Sequence, residues 1–73
     1  MSARIYARAA EVLSALLAER RITAAELARE LEIDAGILRR ILNGKQKSIS
    51  TRNLLLFSRY FGMELQELID RIS

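Results

Sequence analysis

The sequence has no cysteine, no histidine, no proline and no tryptophan. Without cysteine there is neither a disulfide framework nor a thiolate nucleophile. Without histidine the usual general base, a principal zinc ligand and the side chain that titrates near neutral pH are all missing. Neither an enzyme nor a metal or cofactor site is therefore expected. No apolar run approaches the roughly 18–20 residues of a membrane span. Positions 1–10 carry Arg4 and Arg8 but no apolar signal core. The expectation is a soluble cytoplasmic protein with no membrane partner. Sustained strand-like alternation is absent, and glycine occurs only at positions 36, 44 and 62.

What remains is 73 residues, 51% hydrophobic and 29% charged, too apolar for a disordered tail. Residues 1–73 read as one domain. A core this small rarely supplies more than about 3–5 kcal/mol, so well-capped helices or a partner subunit would help. Net charge is +3, and its distribution is uneven. Glu11, Glu19, Glu26, Glu30, Glu32 and Asp34 precede position 35, and Glu64, Glu67 and Asp70 follow position 63. Between those positions lie Arg39, Arg40, Lys45, Lys47, Arg52 and Arg59, with no acid. A cationic stretch without counter-charge fits either a solvated face or a polyanionic partner.

Five helices are predicted. The first covers about 3–20, with Ile5, Ala9, Val12, Leu13, Leu16 and Leu17 on one stripe. Thr23 followed by Glu26 is a capping box that opens a second helix over 24–31. Asp34 is a good N-cap for a third over 35–43, and Asn43-Gly44 is a stop signal. Only Glu32 and Ile33 lie between, so the second and third helices form a helix-turn-helix. A fourth helix is predicted from Thr51 to Phe61 behind the cap Ser50, ended by Gly62. The fifth spans about 64–72, with Leu65, Leu68, Ile69 and Ile72 at helical spacing. Tyr6 and Phe57 read as structural. The fold class is all-α, a compact five-helix bundle.

On a wheel of about 100° per residue, Ala35, Gly36, Arg39, Arg40 and Asn43 share one side of the third helix. Ile37, Leu38, Ile41 and Leu42 share the other. The major groove, about 12 Å wide, admits such a helix. Small residues in its first turn allow close approach to base edges, Ala35 can meet a thymine methyl, and an arginine one turn on can grip guanine bidentately. Gly36 is either a surface accident or a position where a side chain would collide with DNA. Lys45, Gln46 and Lys47 follow in the loop, where they would lie over the sugar-phosphate backbone. The start of the second helix, at Thr23 and Ala24, offers amides to another phosphate.

Residues 27–44, LARELEIDAGILRRILNG, resemble the helix-turn-helix of the lambda-repressor-like family of phage repressors, Cro-type proteins and bacterial regulators. Leu27, Ala28, Leu31, Ile33, Leu38, Ile41, Asn43 and Gly44 carry the pattern. Leu54, Leu55, Phe57, Phe61, Gly62, Met63, Leu65 and Leu68 occupy its core positions in the fourth and fifth helices. The resemblance covers roughly residues 10–70. It implies sequence-specific binding of double-stranded DNA by a bacterial or phage-type transcriptional repressor associated with the nucleoid. Base reading would fall to Ala35, Gly36, Ile37, Arg39 and Arg40. Phosphate contacts would fall to Thr23, Ala24, Asn43, Lys45, Gln46, Lys47, Ser48 and Arg52. The chain departs from the pattern in several places. Glu32 stands where the turn usually has glycine, implying a left-handed non-glycine residue. Ala24 and Ala35 replace common glutamines, and Leu17 and Leu42 replace an ion pair found in some members. The loop after Gly44 is slightly longer and lacks a proline.

The family commonly binds DNA as two-fold dimers. Leu56 and Tyr60, at positions usually polar, and Ile69 and Ile72 read either as a self-association patch for a homodimer or as extra core packing. A rival function is a protein-interaction module, an antitoxin-like partner using the fourth and fifth helices. No small-molecule ligand is expected. The missing residue types together with regular caps also fit a designed sequence.

Overall fold

A computed structural model describes residues 4–73. Five helices follow one another: α1 Ala9–Arg20, α2 Ala24–Leu31, α3 Ala35–Leu42, α4 Thr51–Tyr60 and α5 Leu65–Ile72. Two short strands, β1 Arg4–Ile5 and β2 Ser48–Ile49, pair antiparallel with Arg4 opposite Ile49 and Ile5 opposite Ser48. The all-α bundle expected from sequence is present, with this ribbon added.

The local signals placed the helices well. Thr23 Oγ1 accepts from the Glu26 amide at 3.1 Å, while the Thr23 amide donates to Glu26 Oε1 at 3.0 Å, completing the capping box. Asp34 accepts from the Gly36 amide at 3.2 Å and Ser50 from the Asn53 amide at 3.1 Å. Four helix ends close in the same way, each with a left-handed residue and paired backward bonds of the Schellman type. At α3 and α4 that residue is glycine, Gly44 at φ 77° and Gly62 at φ 68°. At α1 and α2 it is Arg21 and Glu32, both at φ 55°. The left-handed Glu32 is as the sequence implied; Arg21 was not anticipated.

The amino-terminal segment differs from expectation. The first helix begins at Ala9 rather than near position 3, and Ala3 itself lies outside the described residues. Position 8 offers no side-chain cap, and Ile5 and Tyr6 favour extended backbone. Ser50 must itself be extended to cap α4, with ψ 154°, and the chain just before it is extended too. Residues 4–6 pair with that stretch, and the Tyr6 amide donates to the Lys47 carbonyl at 2.7 Å. As a result Tyr6 is buried, and Ile5, expected on the apolar stripe of the first helix, is 76% exposed.

The core gathers Leu13, Leu27, Leu38, Ile41, Ile49, Phe57, Leu68 and Ile72, all fully buried. α1 packs on α3 and α5, α2 on α3, and α4 on α5. Arg20 fastens the end of α1 to the end of α4: Nη2 donates to the Phe61 carbonyl at 3.0 Å, and the guanidinium lies 5.5 Å from the Phe61 ring centre. Two sequence expectations are corrected here. Ile72, offered as part of a self-association patch, is 0% exposed and belongs to the core. Leu55, given a core position by the resemblance, is 37% exposed. α4 turns Leu54, Phe57 and Ser58 inward, which carries Leu55 round to the outside.

Candidate nucleic-acid interface

α2 and α3 are joined by the turn Glu32-Ile33, where the Ile33 amide donates to the Ala28 carbonyl at 3.0 Å. α3 is mounted on the core through Leu38 and Ile41. Arg39, Arg40 and Asn43 are exposed, and Ala35 and Gly36 are half-buried. The side of the helix that the wheel left polar and small is thus the accessible one. Ile37 is half-buried and packs against the core cluster, as does Ala35, so each offers only part of its surface.

Gly36 has ordinary helical backbone, since the positive-φ glycines are Gly44 and Gly62. A methyl group built on it would lie 3.6 Å from both Asp34 carboxylate oxygens and 3.7 Å from Arg40 Nη1, all normal contacts. The fold therefore has room for alanine at a site where glycine costs up to about 1 kcal/mol of helix stability. Folding alone gives no reason for the glycine.

Arg40 organises the loop that follows. Its carbonyl accepts from the amides of Lys45 and Gln46 at 2.9 and 3.1 Å. Its Nε lies 3.5 Å from Gln46 Oε1, a bond at the long limit. Gln46 Nε2 in turn donates to the Ser48 carbonyl at 3.1 Å. The Gln46 side chain, expected at a phosphate, is engaged at both ends within the protein. Lys45, Lys47 and Arg52 are exposed and form no ion pair with a described residue. Among the described residues the ion pairs are Arg8 with Glu11 and Arg71 with Glu67, both outside this region.

At the start of α2 the capping box occupies the Thr23 and Glu26 amides, leaving those of Ala24 and Ala25 without an intrahelical acceptor. The residues expected to meet DNA therefore lie on α3, on the loop behind it, and at the amino ends of α2 and α4. Residues 12–73 match the Cro/C1-type HTH DNA-binding domain. The chain belongs to that family. Neither a curated protein nor a solved structure matches it.

As a Cro/C1-type domain the chain is a DNA-binding protein of a typically non-enzymatic family. No group of acids among the described residues is arranged to hold a metal ion, and no described helix is long and apolar enough to cross a membrane. A surface cleft of about 310 Å³ lies between α1 and α5, lined by Val12, Ala15 and Leu16 and flanked by the two ion pairs. It shares no residue with α2 or α3. Of the self-association residues, Leu56, Tyr60 and Ile69 are half-buried, and the Tyr60 ring meets Phe61 edge-on at 5.2 Å. The β1–β2 ribbon, which sets Arg4 beside residues 47–49, was not expected from the sequence; the strand-favouring Ile5 and Tyr6 were the signal for it.

Proposed function

We propose that this Cro/C1-type domain reads double-stranded DNA by seating α3 in the major groove and acts as a transcriptional repressor by occluding promoters. The observation that carries the reading is the accessible side of α3. It presents a small first turn whose glycine the fold does not require, followed by Arg39 and Arg40 and then by an exposed lysine loop without acids. Ala35, Gly36, Arg39 and Arg40 face the bases, with part of Ile37. Lys45, Lys47, Ser48, Arg52, Asn43 and the amides near Thr23 and Ala24 meet phosphates. A second copy on a neighbouring half-site would use Leu56, Tyr60 and Ile69, with Leu55 beside them. Residues 1–73 act as one unit, and no small molecule regulates binding within it.

Selection from a pool of randomised duplexes is the direct test. The expected result is one enriched sequence, palindromic if the protein binds as a dimer. On that sequence Arg40→Ala should relax preference at one base pair by roughly 1–3 kcal/mol, whereas Lys47→Ala should weaken all duplexes alike. If about four to six phosphates are neutralised, log affinity falls against log salt with a slope of about −4 to −5. Absence of enrichment with salt-independent binding would overturn the reading and favour a protein partner on α4 and α5.

A further inference from the structure

We infer that the β1–β2 ribbon is a second contact surface for the duplex backbone, in which Arg4 neutralises a phosphate beyond those reached by the loop 45–48. The inference rests on the DNA-binding reading above. Its basis is the strand pairing. Arg4 stands opposite Ile49, and the Tyr6 amide is bonded to the Lys47 carbonyl at 2.7 Å. Paired strands lie only about 4.7–4.9 Å apart. The ribbon therefore sets an arginine distant in sequence on the same face as Lys47, opposite Ile49, the residue before the cap of α4.

Charge supports the same assignment. Arg4 is exposed and has no ion-pair partner among the described residues. Glu11, the acid nearest to Arg4 in sequence, is paired with Arg8 at 3.3 Å. Ile5 shares a face of the ribbon with Ser48 and is 76% exposed. Ile5 therefore lies on the face opposite Arg4, and the cationic face of the ribbon is the one that Arg4 shares with Lys47.

The test compares Arg4→Gln with Lys47→Gln in the full chain, measuring affinity for the selected duplex and for an unrelated duplex across a salt series. Arg4 contributes to the ribbon through its backbone, so R4Q should fold; circular dichroism checks this. Loss of one phosphate contact should make the salt slope shallower by about 0.9. Between about 50 and 200 mM salt, the advantage of the unsubstituted protein over R4Q should then shrink about 3.5-fold, equally on both duplexes. A purely structural role would lower stability without moving the slope. If K47Q moves the slope and R4Q does not, Arg4 makes no phosphate contact and the inference falls while the DNA reading stands. If neither variant moves it, the placement of this face on the duplex fails as well. A change in base preference with R4Q would overturn the phosphate assignment in favour of base reading.

Discussion

Gly36→Ala separates what the fold needs from what DNA needs. The added methyl would meet only the Asp34 carboxylate at 3.6 Å and Arg40 Nη1 at 3.7 Å, and the backbone there is already helical. Alanine should therefore stabilise the free protein by up to about 1 kcal/mol, the helix-interior difference being the ceiling for the second residue of α3. For a domain of this size that corresponds to a rise in Tm of up to roughly 8 °C. If α3 sits in the major groove, the same methyl enters the tightest part of the contact. An extra carbon in a well-packed site costs typically about 1–3 kcal/mol, or about a 5- to 140-fold rise in Kd. Thermal unfolding followed by circular dichroism gives the first quantity, and fluorescence-anisotropy titration on the selected duplex at fixed salt gives the second. Opposite signs are the signature, because a misfolded variant cannot melt higher and bind worse. A higher Tm with unchanged affinity would refute the groove assignment of this face. A lower Tm would refute the reading of Gly36 as free of folding constraint.

Two further substitutions test the scaffold. Glu32 ends α2 in a left-handed conformation at φ 55°, which costs a non-glycine residue roughly 1–2 kcal/mol. Against the entropy that glycine loses, Glu32→Gly should still gain about 0.5–1 kcal/mol in urea unfolding; a loss would mean that the Glu32 side chain stabilises the turn. Ile72 is fully buried, so Ile72→Ala should cost about 2–5 kcal/mol, comparable to the entire stability of a core this small. Its melting curve should collapse at every protein concentration, and a change confined to oligomeric state would show that the residue belongs to an interface after all.

Legibility in this sequence follows the range of the interactions. The capping box at Thr23, the caps Asp34 and Ser50, and the stops at Gly44 and Gly62 act within a few residues, so each could be read directly and each is present. The orientation of α3 was equally plain, because a short helix with four apolar residues on one side has one way to face a core. The start of α1 was not legible. Ile5 lies at helical spacing from Ala9 and Val12, and what draws it into a strand is a partner more than forty positions away, fixed by the bond from Tyr6 to Lys47. Leu55 was misplaced, and Ile72 left open between patch and core, for a related reason. A helical stripe shows which residues align but not how wide a strip the neighbouring helices cover, and α5 is covered further round than α4 at these positions.

The geometry around Arg40 bears on how base reading and backbone anchoring depend on each other. One residue supplies the guanidinium proposed for the bases and, through its carbonyl, holds the Lys45 and Gln46 amides that begin the loop proposed for phosphates. Gln46 then bridges the Arg40 side chain to the Ser48 carbonyl, and Ser48 is paired with Ile5. α3, the loop and the ribbon therefore form one connected hydrogen-bonded unit rather than a helix followed by a free lysine segment. Phosphate contacts made by such a unit would fix the depth and rotation of the helix beside them. On the proposed reading Arg40 would then meet base edges with little freedom left to lose, and preorganisation of this kind favours affinity by lowering the entropy lost on binding.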